Sequence, residues 1–421
     1  MSKNLERRRK LAYTALLWAF FVNFLGYAFI VPILPSWQAQ FGFNATKATL
    51  LVSLWAVPMF LFGPLTGRLT DKIGAGRTVF FSMVFLSGSS ALYLIATEEL
   101  LPHAFGILAV ARLIHGASGA AIMTAGLASA SQLWPTNFGE QAGKLLAIAT
   151  IGGLLGPVVG GVTFEYIDSG AFVFLAMATA AVIPLTWYAI PAIGKSQTPT
   201  QGNVSIKVFI TNPVLLRVGI LLTITTIATG ALEAGGPLFL HDELNLGSAM
   251  IGGVLLVMVL MQGVGSLIWG KLVDKHGPTR YMLMGWTMVV LSLAGVGFFG
   301  WGLSGMVAVG SMMLLLGLFQ FSIAAAQIPM LPMIDTAATR AYGEGNPGLA
   351  FGAFGTAWAA GTILGPLLVG PMYDLSNSWP LSLGLLSVPA AIALLITVRN
   401  RDMLRECYTS VMQERVGESE V

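Results

Sequence analysis

Charge is what this sequence most lacks. Asp and Glu number 19 and Lys and Arg 22 among 421 residues, 10% of the chain, where a soluble domain carries about 25%. So few charged side chains cannot coat a water-facing surface for a chain of this size. That excludes an ordinary cytosolic enzyme and a disordered scaffold. Cysteine is nearly absent: Cys407 stands alone in the polar C-terminal segment, so no disulfide can form within the chain, and a thiolate metal cluster is disfavoured. The four histidines lie far apart and give no His/Cys ligand spacing, so no metal is expected. No basic stripe interleaved with aromatics suggests a nucleic-acid partner. Sustained polar–apolar alternation is missing too, which disfavours a porin-type barrel.

Apolar residues are abundant instead. They make up 55% of the chain, with a mean hydropathy of +0.78. Fifty glycines point the same way, because Gly is common where membrane helices pack closely. The basic N-terminus MSKNLERRRK runs into an apolar stretch from Leu11 to Pro35. That stretch is too long for a signal-peptide core and has no small-residue cleavage site, so it reads as a retained first span. A spanning helix needs about 20 mostly apolar residues. Breaks at charge, proline and polar clusters predict twelve, at 12–35, 47–68, 78–97, 102–131, 141–164, 170–190, 212–240, 248–271, 280–301, 304–334, 347–372 and 378–398. All must be helical, since lipid offers no partner to open backbone. The expectation is an all-α membrane protein in a lipid bilayer. Its predicted parts are an N-terminal six-helix bundle over 1–190, a linker over 191–211, a second bundle over 212–400 and a tail over 401–421.

Lys and Arg set the orientation. With the N-terminus cytoplasmic, all basic residues except Lys47 and the intramembrane Arg112 fall on the cytoplasmic side. The opposite loops carry Glu98, Glu99, Asp168, Asp242, Glu243 and Asp374. This positive-inside pattern predicts both termini in the cytoplasm.

Two short segments share one grammar. Gly67, Leu69, Asp71, Lys72, Gly74 and Arg77 recur as Gly270, Leu272, Asp274, Lys275, Gly277 and Arg280, all at an offset of 203 residues. A duplication explains a constant offset better than a general taste for Gly and charge in short turns. With this GxLxDKxGxxR pattern in both halves, the chain resembles the major facilitator superfamily over nearly its whole length. The resemblance implies two pseudo-symmetric bundles around a central cavity, rocking to expose a midplane site to each side in turn. It also implies a monomer in the cytoplasmic (inner) membrane, with no cofactor and a proton gradient as driving force. Asp71 and Asp274, at helix ends, are expected to gate by pairing with cations or helix N-termini.

Three further segments narrow the branch. Gly152, Gly156, Pro157, Gly160 and Gly161 form GxxxGPxxGG, echoed by Gly361, Gly365 and Pro366. Small residues four apart admit a neighbouring backbone, and Pro157 permits a kink. The pattern is similar to that of the drug:proton antiporter branch. Arg112 and His115, three apart, share a face of the fourth span. Buried ionisable groups are functional candidates by default, and the segment resembles the antiporter motif RxxxGxxxA, whose Arg is linked to proton transfer. His115 stands where that motif usually has Gln, and as a side chain able to titrate near neutrality it is a proton-coupling candidate with Arg112 and Glu233. Glu233 is the clearest acid inside a span, beside Gly235, Gly236 and Pro237, which are expected to loosen the helix. A desolvated carboxyl can take up and release a proton. The LExxxP pattern here is similar to vesicular amine transporters and their bacterial relatives. In that group's first span an Asp stands where this chain has Asn23, and Gly355 lies near the place of another acid. An amide can hydrogen-bond an ammonium ion but not neutralise it, so a neutral, zwitterionic or anionic amphiphile is as good a cargo as an amine.

Asn23, Gln320, Gln327 and Trp358 are the candidate substrate-cavity residues. Asp335 is expected to form a helix-end pair with Arg340. The preferred reading is proton-driven efflux of a small amphipathic compound. A proton symporter or facilitator for uptake is the alternative. A membrane-embedded enzyme or receptor is remote, because no HExxH, GxSxG, P-loop or paired acids stand out.

Overall fold

The computed structural model describes residues 3–100, 102–134, 137–189, 211–298, 305–330, 332–334, 336–337 and 347–408. Helices and their connecting turns account for them, and no strand occurs among the described residues. Among the described residues, eleven segments are long and apolar enough to cross a bilayer. One further helix, Pro347–Ser376, has 30 residues and a length of about 45 Å, so the eleventh expected span also has its helix.

The chain divides into two compact units. The first holds Met1–Thr200 with Leu246–Leu256, and the second Gln201–Asn245 with Val257–Val421. The first contains α1 (Lys3–Phe29), α2 (Leu34–Phe41), α3 (Ala45–Ile73), α4 (Ala75–Thr97), α5 (Ala104–Leu133), α6 (Phe138–Ile167), α7 (Gly170–Ala180) and α8 (Val182–Ala189). In the second lie α9 (Pro213–Leu244), α11 (Pro278–Gly297), α12 (Gly305–Gln327), α13 (Pro347–Ser376), α14 (Trp379–Gly384) and α15 (Ser387–Arg399). The helix α10 (Ser248–His276) contributes its start to the first unit and the rest to the second. The expected linker lies largely outside the described residues, as do Asp335, Arg340 and the side chain of Asp71.

Several expected limits move, and proline is the reason. The first span does not end at 35: α1 gives way to a 3-10 turn at Val31–Ile33, carrying Pro32, and α2 continues from Leu34 with Pro35 in its first turn. The sixth span breaks at Ala181, three residues before Pro184, and the twelfth breaks at 385–386, just before Pro389. Proline has no N–H for the carbonyl four residues back, so a helix restarts with it in the first turn. The helix of the ninth span stops at Gly297, short of 301; the tenth span runs Gly305–Ile334, as expected, with a turn at 328–329 just before and at Pro329.

Two expectations about loosened helix are corrected. The Gly-Gly-Pro run beside Glu233 does not interrupt α9, which is helical from Pro213 to Leu244 with Pro237 inside it. The signature segments are not loops either. Residues 67–73 finish α3 and residues 75–77 begin α4; 270–276 finish α10 and 278–280 begin α11. Each corner is one glycine, Gly74 at φ +94° and Gly277 at φ +83°. A side chain at either would be strained, because positive φ crowds Cβ. The repeat in sequence is thus a repeat in backbone.

Glycine sets the closest packing in both units. Gly152, Gly156 and Gly160 on α6 lie against the backbone of Phe21, Leu25 and Phe29 on α1, leaving no room for a Cβ. In the second unit Gly361 and Gly365 on α13 lie just as close to Thr223, Ile227 and Ala231 on α9. Within the first unit, Gly161 meets Ser248 and Gly252 meets Pro157 at the start of α10. There the Glu165 carboxylate accepts the Ala249 N–H at 2.7 Å, a charge-assisted cap on the helix.

Candidate functional site

In the first unit, α1, α3, α4 and α5 bring a polar cluster into an otherwise apolar interior. Arg112 on α5 is fully buried. Its Nε donates to the Leu51 carbonyl at 2.8 Å and its Nη1 to the Tyr27 carbonyl at 3.5 Å, with the guanidinium 5.5 Å from the Tyr27 ring centroid. Its Nη2 has no partner. The sequence places no Asp or Glu between Glu6 and Asp71, or between Glu99 and Glu140. Backbone dipoles and an aromatic face therefore hold this cation where hydrocarbon would otherwise disfavour it.

One turn along α5, His115 is also fully buried. Its Nε2 lies 3.1 Å from the Asn23 carbonyl, and its Nδ1 lies 3.4 Å from the Tyr93 hydroxyl. A carbonyl only accepts, so Nε2 carries the proton and Nδ1 accepts from Tyr93. The neutral ring is satisfied on both sides. Asn23 and Tyr27 stand four apart on α1, as Arg112 and His115 stand three apart on α5. The two helices thus meet in two successive rungs. The Asn23 side chain is fully buried and both its amide atoms lack partners. It points at Gly119, where an added Cβ would sit 3.0 Å from its Oδ1.

In the second unit, Glu233 sits in the middle of α9. From Gly230 to Leu240 every other residue is buried, and Glu233 alone is partly exposed. Threonines flank this stretch: Thr223 Oγ1 bonds the Ala357 carbonyl of α13 at 3.2 Å, and Thr226 and Thr229 bond back to their own helix. Gln320 on α12 is buried, with its Oε1 lacking a partner. Gln327, at the end of α12, and Trp358 on α13 are half-buried. Of the signature residues, Lys72, Arg77, Asp274, Lys275 and Arg280 are exposed. Asp274 accepts a hydrogen bond from Tyr408 at 2.8 Å.

A family model, Major Facilitator Superfamily, matches residues 16–331. The chain belongs to this superfamily. Human MFS-type transporter SLC18B1 is 25% identical over 362 residues, 83% of this chain and 77% of that protein. Quinolone resistance protein NorA of Staphylococcus aureus is 23% identical over 402 residues, 92% and 96% of the two chains. A bacterial homologue of the iron transporter ferroportin, solved in an inward-facing state, superposes with a TM-score of 0.73 at 12% identity. That match covers 95% of this chain and 99% of the other. The chain is therefore a multi-pass membrane transporter of the superfamily.

Within that superfamily member, the sequence-signalled residues fall into two groups. Arg112, His115 and Asn23 come together in the first unit; Glu233, Gly361, Gly365 and Pro366 share the α9–α13 pair of the second. Tyr27, Trp55 and Tyr93 complete the first group and carry no signal of their own, since an aromatic in a span reads the same whether it packs or hydrogen-bonds.

Proposed function

We propose that this transporter exports a small amphipathic compound in exchange for inward-moving protons, by alternating access across the cytoplasmic membrane. Both termini are then cytoplasmic. The observation that carries the reading is Glu233: an acid in the middle of a spanning helix, partly exposed within a stretch whose other residues are buried. An ionised carboxyl there is costly unless it is paired or wetted, so its protonation follows whichever side it faces. In the outward state Glu233 takes a proton as cargo leaves. In the inward state the proton departs and cargo binds. Proton and cargo need not touch; they need opposite preferences for the two states. Arg112 supplies a fixed positive charge in the other half, and neutral His115 holds α1 to α5. Asn23, with an unsatisfied buried amide, offers a donor and an acceptor to a polar group of the cargo. The GxxxGPxxGG pattern of α6, which resembles that of drug:proton antiporters, and the likeness to a quinolone resistance protein support efflux over uptake.

The test compares wild type with Glu233→Gln in everted vesicles, using a panel of radiolabelled drugs, siderophores and metabolites. Expected are uptake into vesicles that collapses with an uncoupler in wild type, and loss of driven transport with retained exchange in the variant. Full driven transport by Glu233→Gln removes the residue from the mechanism. Transport that survives the uncoupler removes proton coupling.

A further inference from the structure

After α15 the chain does not leave the second unit. Residues 401–408 form about two further helical turns, and their pattern is amphipathic. Arg401, Asp402, Arg405 and Glu406 are exposed, while Leu404, Cys407 and Tyr408 are buried. Positions three and four apart share one helix face. Four bonds tie this face and its backbone to other elements of the same unit. Thr279 Oγ1 at the start of α11 donates to the Arg401 carbonyl at 3.5 Å. Arg217 Nη1 on α9 lies 3.1 Å from the Met403 sulfur. The Cys407 thiol lies 3.7 Å from the Met333 carbonyl, and the Tyr408 hydroxyl donates to Asp274 Oδ1 at 2.8 Å. Asp274 is the acid of the second signature segment, one helical turn before its glycine corner at Gly277.

We infer that residues 401–408 act as an intramolecular ligand of the second signature segment, with Tyr408 as the residue that positions Asp274. The tail touches α9, α10, α11 and the chain after α12 at one end of the unit. It therefore ties together helix ends that are far apart in sequence. An exposed carboxylate rotates freely between water and any nearby cation. One held by a buried phenol has a fixed place, through a hydrogen bond strengthened by its charge. The signature acid then moves only when the tail moves with it, and undocking the tail frees both. This inference rests on neither proton coupling nor the direction of transport.

The sole cysteine reports on the docking directly. Cys407 is 7% exposed, so a maleimide reaches it only when the tail lifts, and its alkylation rate measures that opening. The assay uses full-length protein in detergent micelles, N-ethylmaleimide and mass spectrometry, and needs no cargo. Tyr408→Phe removes one oxygen and keeps the ring, and is expected to raise the rate about tenfold, the scale of a charge-assisted hydrogen bond. Asp274→Ala should do the same. The double variant should be no faster than either single one, because both remove one bond. Asp274→Asn keeps an oxygen for Tyr408 to donate to, so it should lie between wild type and Asp274→Ala. Asp402→Ala, on the exposed face and paired among the described residues only with Arg401 of the tail itself, should alkylate at the wild-type rate. Equal rates for Tyr408→Phe and wild type overturn the inference. So does a double variant whose effect is the product of the singles, since that makes Tyr408 and Asp274 independent packing residues. Should Tyr408→Phe fail to fold, an Asp274→Asn rate equal to that of Asp274→Ala overturns it equally.

Discussion

His115 separates two kinds of buried histidine by geometry alone. A proton-carrying imidazole needs one nitrogen left over for the proton it gains. Here Nε2 donates to the Asn23 carbonyl and Nδ1 accepts from Tyr93, so a second proton displaces a hydrogen bond and adds a cation near Arg112. The arrangement suits a neutral connector. A glutamine makes the same pair of bonds, donating through its amide and accepting through its carbonyl oxygen. His115→Gln is therefore expected to keep the wild-type pH profile of transport between about pH 5.5 and 8, where an unperturbed histidine titrates. His115→Phe should lower the rate at every pH by loosening α1 from α5. A profile flattened in the Gln variant would return His115 to the proton path. At this scale the ionisable residues were legible, because Arg112, His115 and Glu233 interrupt apolar runs. Their partners were not, because Tyr27 and Tyr93 look like any other aromatic of a span.

Glycine is the residue through which the helices of each unit find their partners, and neighbouring glycines differ sharply. On α6, Gly160 sits against the Phe29 carbonyl of α1, and an added methyl would overlap backbone that cannot yield. Gly153, on the same helix, has open space where a Cβ would go. Gly160→Ala should therefore destabilise by about 1–3 kcal/mol, the usual cost of overpacking. Gly153→Ala should be neutral or gain about 0.5–1 kcal/mol from the helix propensity of alanine. Gly365→Ala on α13 should behave like Gly160→Ala, since it meets the Ile227 carbonyl in the same way. Thermal unfolding of the three purified variants ranks them, and equal midpoints would dismiss the backbone contact as the organising feature of these helix pairs. The spacing of these glycines was readable as close packing, but the identity of the partner helix was not. Proline misled in both directions. Pro237 was read as part of a loosened stretch, yet it stands in unbroken helix, as Pro157 does. Pro184 and Pro389 were passed over, yet the chain breaks just before each. Which outcome a proline gives depends on the packing around it, and that is absent from local sequence.

For the whole molecule, the duplication offset of 203 residues reappears as two glycine corners of nearly equal φ, so the signature acts on backbone shape as well as charge. Orientation follows from how Lys and Arg are placed about those corners, and one helix is enough to test it. The helix α10 spans Ser248–His276, 29 residues or about 43 Å, enough to cross a bilayer. The acidic Glu243 lies just before it and the basic Lys275 near its far end, and both are exposed. With Cys407 replaced by serine, single cysteines at these two positions report opposite faces of the membrane. An impermeant maleimide added to intact cells should label Glu243→Cys and spare Lys275→Cys until the cells are permeabilised. The reverse result would place the signature corners outside, against a distribution that leaves only Lys47 and Arg112 off the basic side. Labelling of both positions in intact cells would mean that Lys and Arg do not fix a single topology here. The signature acids Asp71 and Asp274 would then face one compartment in some molecules and the other compartment in the rest.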